Sequence, residues 1–190
     1  MIIGLCGAAG AGKGSVANVL VTKYFFAEIA FADPLYAMVS TLTGLTVEQL
    51  HDRELKEKPI EWLGKSPRQL LQSLGTEWGR GMVKDDLWVG IAIRTALASA
   101  RVVLTDVRFD NEAQAVKDAG GVVWRVIRDS HYCLTADTAR HTSEAGVSRE
   151  LVDLTIYNNG TLEALAGTVD AAMRKATRLY NGDIAPCSAS

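Results

Sequence analysis

Six consecutive residues near the start of the chain, Gly10-Ala11-Gly12-Lys13-Gly14-Ser15, have the composition of a phosphate cradle. Small residues let a backbone wrap closely around an anion so that its N–H groups point at the oxygens. An ammonium beside them can neutralise the β and γ phosphates of a nucleotide. The run Met1 to Cys6 before them is apolar and suits a buried parallel strand; Val16, Val19 and Leu20 after them recur at helical spacing. Strand, loop from Gly7 and helix start, in that order, read as a phosphate-binding P-loop. The common form places a hydroxyl directly after the lysine to touch Mg²⁺, whereas here Gly14 holds that place and Ser15 follows.

Further groups fall at the ends of apolar runs. Asp106 follows the β-branched stretch RVVLT at 101–105, where a carboxylate can position Mg²⁺ and its waters, directly or through water; the alternative is a turn aspartate. Asp33 ends the apolar segment Ala27 to Ala32 and is open to two readings, a cap for a helix over 35–41 or a ligand at the carboxyl end of a strand. Arg125 and Arg128 border a polar stretch reaching Glu144, long enough for a lid that closes over a substrate and excludes water. His131 and His141 lack metal-ligand spacing with the cysteines and read as loop or capping residues.

These residues need a scaffold, and 190 residues are enough for one well-buried α/β domain. The expected arrangement is a three-layer P-loop NTPase fold over residues 1–180. It comprises a central parallel sheet, a helical insertion at about 34–98, a lid at about 128–146 and a disordered tail at 181–190. Residues 44–66 are the most polar part, with a capping box at Thr46 to Gln49. Ser66-Pro67 opens a helix whose Leu70, Leu71, Leu74 and Trp78 are expected to face the core, and a second helix follows over 86–98. Asp110 is expected to cap a helix over 111–119 that Gly120-Gly121 ends; strands at 122–127 and 154–157 and a helix over 161–180 complete the pattern.

Composition narrows the function classes. A net charge of −2 leaves no electrostatic footprint for duplex nucleic acid, which favours a small anionic ligand bound at a local positive patch. The apolar N-terminal run has no basic residues before it and is too short to span a bilayer, so no membrane partner is expected. Cys6, Cys133 and Cys187 suggest neither a disulfide framework nor a zinc site, consistent with a reducing cytoplasm. The apolar faces of helices 66–80 and 86–98 leave room for a homodimer.

The GKGS form of the loop resembles the GKGT loop of adenylate kinases, an implication that favours small phosphoryl acceptors. In order along the chain, FADPL at 31–35, SPRQLLQSLGTEWGR at 66–80, DLWV at 86–89, DVRFDNEA at 106–113 and HTSE at 141–144 resemble the deoxynucleoside monophosphate (dNMP) kinases of tailed bacteriophages. That resemblance implies transfer of the ATP γ-phosphate to a dNMP with Mg²⁺. It places Gly10, Gly12, Lys13, Gly14 and Ser15 on the ATP phosphates, Arg68 on the acceptor phosphate, and Arg128 in the lid. Arg80, Trp88, Asp106, Arg108 and Glu112 become further acceptor-site or metal-shell candidates, and the insertion becomes the acceptor-binding segment. With Arg68, Arg108 could orient the acceptor phosphate in forked hydrogen bonds. Tyr36 stands where the family usually has lysine after FADPL. A dephospho-coenzyme A kinase using Asp33 as base, and a nucleotide-binding module without transfer activity, are the competing readings.

Overall fold

Five short strands, Ile2–Cys6 (β1), Ala27–Ile29 (β2), Val102–Leu104 (β3), Val122–Ile127 (β4) and Leu154–Tyr157 (β5), form one sheet in the computed structural model, in the order β2-β3-β1-β4-β5. Parallel registers pair Ile3 with Val103 and Val122, and Trp124 with Leu154. The central strand β1 is buried along its whole length, as expected for a parallel strand covered on both faces. Ile3 and Leu5 join one apolar cluster with Val16 and Leu20 of helix Lys13–Tyr24 (α1) and Val169 and Met173 of helix Leu162–Leu179 (α8). On the opposite face Gly4 admits helix Asp110–Asp118 (α7): a Cβ there would stand 3.0 Å from Val107 Cγ2 and 3.3 Å from Val116 Cγ2. This is the α/β layering expected from the sequence.

The structure describes residues 1–128 and 146–179. The interior of the expected lid with its HTSE motif, His131, His141, Cys133, Cys187 and the tail 181–190 lie outside the described residues. Two units are distinguished: Met1–Glu28 with the chain from Ala96 onward, and Ile29–Thr95. Among the described residues no helix is long and apolar enough to cross a membrane.

The second unit contains helices Asp33–Thr43 (α2), Val47–His51 (α3), Arg53–Glu57 (α4) and Pro67–Gln72 (α5), a π-helical segment Ser73–Val83, and most of helix Leu87–Leu97 (α6). Capping boxes start α3 and α5, as the sequence predicts. Thr46 accepts from Gln49 N and Ser66 from Gln69 N, while each glutamine side chain accepts from the backbone N–H of its cap residue.

Three local expectations are corrected. Trp78 is 41% exposed rather than in the core. A 3.6-residue period would carry Leu74 and Trp78 inward together, but the wider i→i+5 winding turns Gly75 and Gly79 inward instead. The indole of Trp88 occupies that position, donating Nε1–H to Gly75 O at 2.8 Å, and a Cβ on Gly79 would fall 2.3 Å from its Cζ2. Asp33 is the first residue of α2 and not its cap; its carboxylate accepts from Ala30 N at 2.6 Å, a turn that follows β2 directly and leaves it three residues long. Asp110 likewise begins α7 without capping it, because its carboxylate accepts from the backbone N–H and the hydroxyl of Ser148.

Candidate active site

The loop between β1 and α1 is shaped by backbone conformations that side chains resist. Gly7, Gly10 and Gly12 have φ of 137°, 78° and 101°. Steric sockets reinforce two of them: a Cβ on Gly7 would lie 2.2 Å from Val126 O, and one on Gly12 would lie 2.1 Å from Asn158 Nδ2. Gly14 differs, for a Cβ there meets no protein atom within 4 Å. No side chain caps the start of α1, and its first turn holds no acidic residue, so the N–H groups and positive dipole end suit an external anion.

Lys13 lies over this loop, donating from Nζ to Gly7 O at 2.7 Å and Ala8 O at 3.0 Å. Burial holds its pKa below the usual lysine value, with the Arg108 guanidinium adding to the shift and Cys6 and Asp106 opposing it. Lys13, Arg108, Asp106 and Cys6 therefore share one electrostatic neighbourhood. The Cys6 thiol is itself pushed up by burial, against a hydrogen bond with Arg125 and the charges of Arg125 and Lys13.

The turn after β3 carries Asp106 and Arg108. Glu112, 3% exposed, accepts from the backbone N–H groups of Arg108 at 2.7 Å and Phe109 at 3.2 Å, which fixes that turn. Its observed contacts hold the segment that presents Arg108. Among the described residues no three His, Cys, Asp or Glu side chains converge as a metal centre. Asp106 and Ser15 are hard oxygen donors, the kind that Mg²⁺ takes in ones and twos when phosphate and water complete its shell.

Sequence reasoning missed Asn158. Its side chain is buried and donates from Nδ2 to Ala11 O at 2.9 Å; its own N–H donates to Ile127 O at 2.7 Å, and its carbonyl accepts from Arg128 Nε at 3.1 Å. One residue thus joins the end of β5, the end of β4, Arg128 and the loop. The only signal in the sequence was the turn-forming Asn158-Asn159-Gly160 after the last strand.

The second unit holds the remaining candidates. Arg68, on the first turn of α5, is ion-paired with Glu57, both side chains more than half exposed. Tyr36 stacks on His51 at 4.2 Å between ring centroids and accepts from Lys56 Nζ at 2.5 Å, so an ammonium reaches the position of Tyr36 from α4. Trp88 is 4% exposed and packs within the unit, tilted against Trp78; Arg80 is half-buried, and Asp33 is exposed.

A parallel sheet in this strand order, with a lysine-bearing phosphate loop leaving its central strand, defines a P-loop α/β fold. The chain is similar in fold to shikimate kinase from Aquifex aeolicus (TM-score 0.52, 13% identity, covering 96% of this chain and 100% of that one). It is equally similar to dephospho-CoA kinase from Campylobacter jejuni (TM-score 0.53, 12% identity, 95% and 98%). Sequence carries the assignment further: residues 45–169 match the family model described as deoxynucleotide monophosphate kinase, and the chain belongs to that family. A protein of Acanthamoeba polyphaga mimivirus, provisionally named deoxynucleotide monophosphate kinase, is 31% identical over 94% of this chain and 99% of its own length. Escherichia phage T5 deoxynucleoside-5'-monophosphate kinase is 23% identical over 83% and 89%.

Proposed function

We propose that this chain transfers the γ-phosphoryl group of ATP to the 5'-phosphate of a deoxynucleoside monophosphate, giving ADP and the deoxynucleoside diphosphate. An acceptor phosphate oxygen forms the new bond to the γ phosphorus while the bond from that phosphorus to the β–γ bridging oxygen breaks. No general base is needed, because a phosphate monoester is already ionised near neutral pH. Positioning and charge neutralisation then dominate.

The observation that carries this reading is Lys13 held over an uncapped helix start and a glycine loop. The loop N–H groups from Gly10 to Ser15 bind the β and γ phosphates, and the ammonium exchanges the carbonyls of Gly7 and Ala8 for phosphate oxygens. Mg²⁺, held by Asp106 and Ser15 directly or through water, would neutralise charge on the same oxygens. Arg108, on the turn that Glu112 fixes, joins Arg68 in orienting the acceptor phosphate, and Arg128 serves as the lid arginine. The second unit serves as the acceptor-binding segment: Arg68 grips the acceptor phosphate in forked hydrogen bonds, with Arg80 and Lys56 as neighbouring cations.

ADP release from ATP and Mg²⁺ should be stimulated by one or more of dGMP, dTMP, dAMP and dCMP presented singly. Stimulation by dephospho-coenzyme A alone would overturn the acceptor assignment, and Asp33→Asn would then abolish turnover. ATP binding with no acceptor-dependent ADP release would overturn the catalytic reading altogether.

A further inference from the structure

Asn158 is out of reach of solvent, yet its contacts all lead to the phosphate-binding apparatus. Its amide is placed by two main-chain bonds of its own residue, N–H to Ile127 O at 2.7 Å and carbonyl from Arg128 Nε at 3.1 Å. Held there, Nδ2 donates to Ala11 O at 2.9 Å and closes against Gly12, so that any side chain at 12 would collide with it at 2.1 Å. Ala11 is the residue between the two left-handed glycines of the loop, and its own N–H bonds Ala8 O at 3.2 Å. The loop is thereby fixed at its midpoint from the far end of β5.

We propose that Asn158 is a positioning residue for phosphoryl transfer: its side-chain amide locks the Ala11–Gly12 peptide in the orientation that aims the loop N–H groups at the nucleotide phosphates. It acts through the loop and touches no substrate. The idea rests on the assignment of the loop to ATP. An amide suits the position for two reasons. It donates to the carbonyl of a buried residue, where a hydrogen-bond partner is worth most, and it is neutral, so it adds no negative charge beneath a loop that binds a polyanion. Aspartate has the same shape but no proton to donate when ionised, and it sets a carboxylate against a carbonyl oxygen.

The experiment compares wild type, Asn158→Ala and Asn158→Asp by three readouts: ATP binding by calorimetry without acceptor, KM for ATP and for the dNMP separately, and thermal unfolding. Wild-type turnover with a dNMP establishes the underlying reaction first, so its absence would count against the assigned function and not against Asn158. The expected result is an ATP Kd and KM raised about tenfold to a hundredfold in both variants, with Asp worse than Ala and with the dNMP KM unchanged, as for a misplacement of the donor phosphates alone. Variants that unfold at lower temperature but bind ATP with wild-type Kd below their Tm would show a purely structural asparagine and overturn the proposal. Equal increases in the ATP and dNMP KM values would overturn it as well. Should Ala fail to fold, the isosteric Asp decides the question, and a fully folded Asp variant with wild-type ATP affinity would also refute it.

Discussion

The phosphate loop and the helical layer of Ile29–Thr95 are built on opposite principles. In the loop, backbone conformation is fixed by glycines in sterically closed sockets, and a buried amide braces it from behind. In the helical layer the candidate ligand groups are occupied with one another near the surface: Arg68 with Glu57, and Tyr36 with His51 and Lys56. The first arrangement suits an anion as it stands; on the proposed function, the second would exchange internal partners for the acceptor, whose binding energy would be partly offset by the loss of those pairs. The two regions should therefore respond differently to substitution.

Removing charge from the prebuilt region should cost most. Lys13→Ala is expected to lower kcat by about a hundredfold or more, as when a principal stabiliser of transition-state charge is lost. A folded variant with near-normal turnover would break the comparison at its stronger end. Shape should matter almost as much as charge. Gly12→Ala forces a side chain into φ of 101° and against Asn158, and its ATP KM should rise about tenfold or more. Gly14→Ala, two residues on, meets no protein atom and should keep the wild-type Tm. Identical Tm losses in both variants would mean that the sockets do not shape this loop.

Among the glycines of Ile29–Thr95 the closest approach is at Gly79, where a Cβ would fall 2.3 Å from Trp88 Cζ2. Gly79→Ala should destabilise by about 1–3 kcal/mol, the usual cost of overpacking, read as a lower urea midpoint at constant m. Gly90→Ala in α6, with open space around it, should be neutral or stabilising by about 0.5–1 kcal/mol. If the Gly79 variant matched wild type, the π-helical winding would owe nothing to the indole.

How much of this could be read in advance depends on the range of the forces involved. The loop was legible because its glycines, its lysine and the strand before it are neighbours in sequence, and so were the capping boxes at Thr46 and Ser66, each closed within three residues. Asn158 was not, because it meets Ala11 across 147 residues only once β4 and β5 have paired. Trp78 was placed on the wrong face because the winding from Ser73 to Val83 answers to Trp88, a residue outside that segment. Asp110 follows the same rule, because its competing donors come from Ser148, far along the chain; Asp33 does not, since its carboxylate turns back to Ala30 N only three residues away, a local alternative to the cap that the residue types leave open. Family motifs located the arginines; only the structure showed which carboxylate Arg68 holds.

The smallest expected effect is the sharpest test of the difference between the regions. Glu57 and Arg68 are both more than half exposed, so their ion pair contributes under about 1 kcal/mol to stability, and Glu57→Gln should lower the Tm by no more than about 2–3 °C. The same substitution frees the guanidinium from its carboxylate. If Arg68 grips the acceptor phosphate, removing that competitor should lower the dNMP KM by about threefold, the fold-change equivalent of an exposed pair, with ATP KM unaffected. The gain should shrink as salt is raised, because the competition is between exposed charges. An unchanged dNMP KM across the salt series would mean that Glu57 does not compete with the acceptor for Arg68, and that the acceptor phosphate is held by other cations.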